Sequence, residues 1–134
     1  MNAPHGFELV DPPSPFGELV GPLYLNTSGE TPQVGVRIMS HHVNRMGRGH
    51  GGLLTTVADI ALSRAVAGTL PPGATMSTAD LHIAFLDGAG EGQWLQATPR
   101  LDRVGRTLVH ASCELTADGR PVAKVLGCFA IRLP

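Results

Sequence analysis

The chain has 134 residues, the size of one compact domain and too short for two separately cored ones. Hydrophobic residues make up 43% and charged residues 16%, which excludes a disordered spacer; ten basic against eleven acidic side chains leave a net charge of −1, which offers neither nucleic acid nor an anionic membrane a field to read. Aromatics at 4% against 17 Gly and 11 Pro require a core of aliphatic volume, one that a second copy of the chain would help to complete.

Residues 1–20 carry Pro4, Pro12, Pro13 and Pro15, so they exclude a long helix or a central strand and read as an arm. Phe7, Leu9, Val10, Phe16, Leu19 and Val20 are its expected points of attachment, and it is placed to cover a pocket or an interface. The start of the chain has no basic segment leading an apolar stretch, and no run of about 18 apolar residues occurs anywhere, so neither a secretory signal nor a membrane span is expected. A cytoplasmic location follows by default. Residues 23–26 and 33–42 read as strands around the turn Thr27-Ser28-Gly29-Glu30, with Val34, Val36 and Ile38 on one face and Arg37 and His41 on the other.

Residues 53–67 are rich in Leu and Ala, free of Gly and Pro, and predict a helix of about four turns, with Gly51-Gly52 before it and Gly68 and Pro71-Pro72 after it. Its apolar residues run nearly all round, so it is expected to lie buried against the concave face of a sheet. Four further strands, at 77–86, 93–101, 106–116 and 122–132, are expected to run antiparallel to their sequence neighbours, the last two joined by an Asp118-Gly119 hairpin. Cys113 and Cys128 sit in alternating apolar segments and read as free small hydrophobes rather than a disulfide.

The polar residues of the helix, Thr55, Thr56, Asp59 and Ser63, project to one side. A carboxylate in a nearly all-apolar helix needs either a local partner, with Thr55, Ser63 or Arg64 in reach, or a site in which it works as a base or nucleophile. The segment Asn44-Arg45-Met46-Gly47-Arg48-Gly49-His50-Gly51-Gly52 brings a Gly-rich loop to the helix N-terminus, where free N–H groups and the positive end of the dipole stabilise an anionic oxygen. Gly51 and Asp59 are eight residues apart, about 12 Å of helix. One carbonyl cannot reach both in the same chain, so a shared substrate requires Asp59 from a second subunit across a two-fold axis.

Asn44, then His50-Gly51-Gly52, then Ala58-Asp59 nine positions after the histidine, resembles the signature of hot-dog-fold acyl-CoA thioesterases of the PaaI-like type. The order of strands and the single long helix extend the resemblance from Leu23 to Leu133. It implies an α+β hot-dog fold, a curved antiparallel sheet wrapped around one helix, over residues 21–134, with residues 1–20 as an arm. It also implies active sites at a homodimer interface and often a dimer of dimers. By position, Asp59 resembles the catalytic carboxylate, acting on water or as a nucleophile through a mixed anhydride, and Gly51 the N–H donor to the thioester carbonyl. Asn44 resembles a water-positioning residue, His50 a lining residue on the thiol side, and Thr78, with Ser77 as the neighbouring register, a hydroxyl that assists Asp59.

Gly52 admits close approach of substrate, and Leu62 and Met76 bear on pocket size. Arg103 and Arg106, with Arg100, Arg45 and Arg48 as further candidates, are the expected contacts for the phosphates of coenzyme A. His41 and His42, on opposite faces of a strand, would not share a metal with His50 and Asp59, and His82 and His110 read as ordinary strand residues. No Gly-x-Ser-x-Gly elbow is present. Neither a metal nor a cofactor other than the coenzyme A of the substrate is expected. The expected activity is hydrolysis of an acyl- or aryl-acyl-CoA to free acid and coenzyme A. The competing reading is a hot-dog module that binds acyl thioesters or a protein partner without turnover.

Overall fold

The structure, a computed structural model, describes residues 3–134. Its strands are β1 (Glu8–Leu9), β2 (Tyr24–Asn26), β3 (Gln33–Arg37), β4 (Thr75–Phe85), β5 (Trp94–Val104), β6 (Leu108–Ala117) and β7 (Arg120–Arg132), and its helices are α1 (Pro15–Val20) and α2 (Gly51–Ala67). The strands form one antiparallel curved sheet in the order β1-β2-β3-β5-β6-β7-β4, with α2 packed on one face, the hot-dog arrangement expected from the sequence. Val34, Val36, Leu95, Ala97, Val109, Ala111, Leu115, Val125 and Phe129 point from the sheet to Leu54, Val57, Ala58, Ala61 and Leu62 of the helix. Phe129 is the one aromatic in that core, which is otherwise aliphatic.

The large aromatic contacts lie instead on the outer face. The Trp94 ring covers Gly35, where any Cβ would come within 2.1 Å of it, and Phe7 meets it edge-on with centroids 5.1 Å apart. The Asp118-Gly119 hairpin forms as expected, both residues taking the positive φ (47° and 82°) of a two-residue turn that matches strand twist.

Three expectations are corrected. β4 does not lie beside β5: the 86–93 connection crosses the molecule and β4 pairs with β7, from Thr75 opposite Arg132 to Phe85 opposite Ala123, at the sheet's edge. The early strand stops at Arg37 rather than His42, because the Met39 N–H turns to His42 Nδ1 (2.9 Å) and residues Ser40–His42 coil into a 3₁₀ turn. His41 and His42 therefore do not alternate across a strand; their ring centroids lie 3.8 Å apart with the planes tilted by 40°. In the arm, Phe7, Val10 and Val20 attach, but Leu9 on the edge strand β1 is 54% exposed, and Phe16 and Leu19 are 57% and 74% exposed, since the 6-residue α1 turns these side chains outward.

Candidate active site

Helix α2 begins two residues earlier than the apolar pattern indicates, because His50 caps it. The His50 Nδ1 accepts the Gly52 N–H (2.8 Å), and the His50 carbonyl accepts those of Leu53 (2.9 Å) and Leu54 (3.2 Å). An accepting Nδ1 leaves the ring proton on Nε2. Among the described residues, Gly51 is then the one member of the first helical turn whose N–H has no partner. It sits at the positive end of a 17-residue helix. The Phe85 ring from the end of β4 lies against Gly51, 3.2 Å from where a Cβ would stand, so glycine is the residue that lets ring and backbone meet.

The loop before the cap is closed by its own polar groups. Asn44 Oδ1 accepts the N–H groups of Met46 (2.9 Å) and Arg48 (3.1 Å), and the Asn44 N–H donates to the Arg48 carbonyl (2.7 Å). The orientation of the carboxamide is fixed with its NH₂ remaining as a donor. The loop is also tied outward, by Gly49 N–H to the Ala89 carbonyl (2.7 Å) and His50 N–H to the His42 carbonyl (2.9 Å).

About two turns along the polar face of α2, half-buried Asp59 accepts a hydrogen bond from Thr78 Oγ1 (2.8 Å) through Oδ1. Its partner therefore comes from β4 and not from Thr55, Ser63 or Arg64; Thr55 and Thr56 bond back to the carbonyls of Gly51 and Gly52 (2.8 Å each). Thr78 lies opposite Phe129 and shares its helix-facing side, whereas Ser77, opposite Ala130, points outward. A register shift follows directly, between Thr78 and Asp80.

The remaining candidates fall elsewhere. Leu62 is fully buried in the core, against the place a Cβ on Gly127 would fill. Met76 packs against the core. Arg100 pairs with Asp102 (3.0 Å) on the surface, and Arg103 and Arg106 are exposed where β5 turns into β6, three strands from Thr78. Arg48 lies against Gly88 beside the Asp87–Arg120 ion pair; the Gly88 N–H and Arg120 hold the Asp87 carboxyl below the usual carboxylate range. Cys113 is buried and its thiol is pushed up to about 12 by that burial. Among the described residues no three His, Cys, Asp or Glu side chains converge closely enough to hold a metal ion.

Two residues that pattern reasoning leaves out take part in this arrangement: Phe85, which covers Gly51, and His42, which joins the arm to the cap. Both act through contacts between segments distant in the chain, and neither has a local signal. The site thus comes in two halves at opposite ends of the edge strand, a free N–H at Gly51 beside Phe85 and a hydroxyl-supported carboxylate at Asp59 beside Thr78.

Residues 46–124 match the model of the thioesterase superfamily. The chain is 36% identical to the Pseudomonas aeruginosa protein PA0474, provisionally named an esterase, over 96% of this chain and 97% of that one. It is 31% identical to mouse acyl-coenzyme A thioesterase 13 over 60% of this chain and 57% of the relative. Among solved structures it resembles the BH2602 protein of Bacillus halodurans, determined with CoA, at 26% identity and a TM-score of 0.74, with 81% of this chain and 71% of that one covered.

Proposed function

Since the chain belongs to the thioesterase superfamily, we propose that it hydrolyses an acyl- or aryl-acyl-CoA to the free acid and coenzyme A, with Asp59 as the base and the Gly51 N–H as the oxyanion donor. The observation that carries this reading is the selective pairing at the start of α2, where His50 caps Gly52 and leaves Gly51 free. A thioester carbonyl is already electrophilic, so a positioned water, a base and one preorganised donor suffice.

Water attacks the carbonyl carbon as Asp59 takes its proton. The oxygen becomes an oxyanion and draws closer to the Gly51 N–H. Collapse restores the C=O, breaks the C–S bond and releases the coenzyme A thiolate, which takes up a proton. Thr78 holds one carboxylate oxygen and leaves the other for water; Asn44, whose NH₂ remains as a donor, helps to position that water, and His50, whose Nε2–H remains as a donor, lines the thiol side. No metal or cofactor apart from the substrate's own coenzyme A enters this scheme.

The working unit in this reading is a homodimer. Gly51 and Asp59 are about 12 Å apart on one helix. β4 presents an unpaired edge with Phe85 and Gly51 at one end and Thr78 and Asp59 at the other. Two such edges paired antiparallel about a two-fold axis bring the donor of one protomer to the carboxylate of its partner. Pairing also removes a long exposed edge. Residues 21–134 form the catalytic unit and residues 1–20 its accessory arm; dimers of dimers would be built from the same unit.

The test is release of free thiol from a panel of acyl- and aryl-acyl-CoA substrates, with Asp59→Ala as the control. Turnover by the natural protein and loss of several orders of magnitude in a folded variant support the reading. A folded protein that binds but turns over none of the panel would instead be a binding module.

A further inference from the structure

Helix α1 forms a surface that the reaction scheme does not use. With Leu53 and Thr56 of α2, its Phe16, Leu19 and Val20 bound a groove of about 280 Å³ whose walls also include His50 and Gly52. His50 and Gly52 flank Gly51, so the groove opens within one residue of the free N–H. His41 and His42 complete the lining, so the arm supplies the hydrocarbon wall and the cap and the two histidines the polar groups.

The arm is fixed in that position. Ser14 Oγ caps α1 by accepting the Gly17 N–H (3.0 Å). At its other end His41 Nε2 bonds the Gly21 carbonyl (2.9 Å) and His42 Nε2 the Val20 carbonyl (2.6 Å). His42, 3% exposed, has its Nδ1 occupied by the Met39 N–H, which leaves Nε2 as the donor to Val20. The same residue's carbonyl accepts the His50 N–H (2.9 Å), so a continuous set of bonds runs from α1 through His42 and His50 to the first turn of α2. Groove wall and oxyanion donor are held by one framework.

We infer that Phe16 and Leu19 determine substrate specificity by walling the groove that takes the acyl chain of the substrate; this rests on the thioesterase reading above. The acyl half fits the hydrocarbon wall. The coenzyme A half does not, because its pantetheine amides would stand unpaired against Phe16 and Leu19. The polar groups need the thioester carbonyl, and an apolar ligand fixed by a few polar groups at one end is the usual form of such a pocket. Phe16 and Leu19, 57% and 74% exposed, are covered when a chain of sufficient length is bound and remain open with a short one.

The experiment uses the full chain and its Phe16→Ala/Leu19→Ala double variant, with kcat and KM measured for acetyl-, hexanoyl- and decanoyl-CoA and particle mass determined by light scattering. The inference expects the decanoyl-to-acetyl ratio of kcat/KM to fall about tenfold, mainly through KM, at unchanged mass. Phe16→Trp, which fills the groove, is expected to move the optimum toward shorter chains. A folded double variant with an unchanged chain-length profile overturns the assignment while leaving the thioesterase reading intact. A change in particle mass overturns it in favour of a second copy on this surface. No turnover of any substrate by the natural protein removes both.

Discussion

Gly51→Pro separates the oxyanion donor from every other property of its position. Gly51 is the first helical residue of α2, where proline is favoured because the fixed φ suits the helix and the missing N–H has no intrahelical partner. The preceding residue, His50, has φ −63° and ψ 139°, the extended geometry a following proline requires. The new Cβ stands 3.2 Å from the Phe85 ring, but Phe85 is 55% exposed at the end of an edge strand and has room to tilt. The fold should therefore survive with little change in stability. What is lost is one N–H, and loss of a single oxyanion donor lowers kcat by about 10²- to 10³-fold, roughly 2.7–4 kcal/mol. The Gly52 N–H does not replace it, because His50 holds it. Gly51→Ala is the control, since it meets Phe85 in the same way and keeps the N–H. The assay is steady-state thiol release at saturating acyl-CoA, with thermal melts on both variants. A proline variant within about threefold of the alanine variant would refute the reasoning.

Three other outcomes follow from the same contacts. Thr78→Val removes the bond to Asp59 and should lower kcat about tenfold, whereas Ser77→Ala, on the opposite face, should leave it within about twofold; equal effects would remove Thr78 from its supporting role. Burial lowers the pKa of His42 below 6.5, with the charge of His41 acting in the same direction and bonds to backbone carbonyls opposing it. The unfolded chain therefore binds this proton at a higher pH than the folded one. The stabilisation is complete above pH 6.5 and is lost as pH falls from there through the folded value, with a slope of at most about 1.4 kcal/mol per pH unit. Urea unfolding between pH 7.5 and 5 should show a steeper decline in the natural protein than in His42→Asn, and parallel curves would contradict the assignment. Gly35→Ala drives a Cβ to within 2.1 Å of Trp94 and should destabilise by about 1–3 kcal/mol in the same assay, without a specific effect on kcat.

What was legible in the sequence is what local chemistry dictates. The alternation of Val34, Val36 and Ile38, the uninterrupted 53–67 run and the Asp118-Gly119 turn each carry their structure within a few residues, and each appears in the fold. The Gly-rich loop at the start of the helix and the separation of Gly51 from Asp59 followed from spacing, whereas Asn44 and His50 entered through the family resemblance. The rest depended on contacts between distant segments. Nothing within 77–86 indicates that β4 passes β5 to join β7, and the pairing of Asp59 with Thr78 rather than the adjacent Thr55 was expected only from the family resemblance, since the residues near Asp59 do not choose between them. His42 illustrates the same limit: its ring pulls the chain out of an extended course by capping Met39, a choice that period-2 reasoning does not see. Leu62 had the right helical neighbours for a pocket residue, but the sheet closes over it at Gly127.

The central claim is that the donor at Gly51 and the carboxylate at Asp59 serve one substrate from different subunits. It is tested most directly by co-refolding equal amounts of Gly51→Pro and Asp59→Ala chains and measuring thiol release. Random pairing makes half of the dimers mixed, and each mixed dimer holds one site with both groups intact and one with neither, so activity should recover to about a quarter of the natural level. Activity no greater than the sum of the two parents, in a preparation shown to contain mixed dimers, would contradict the claim.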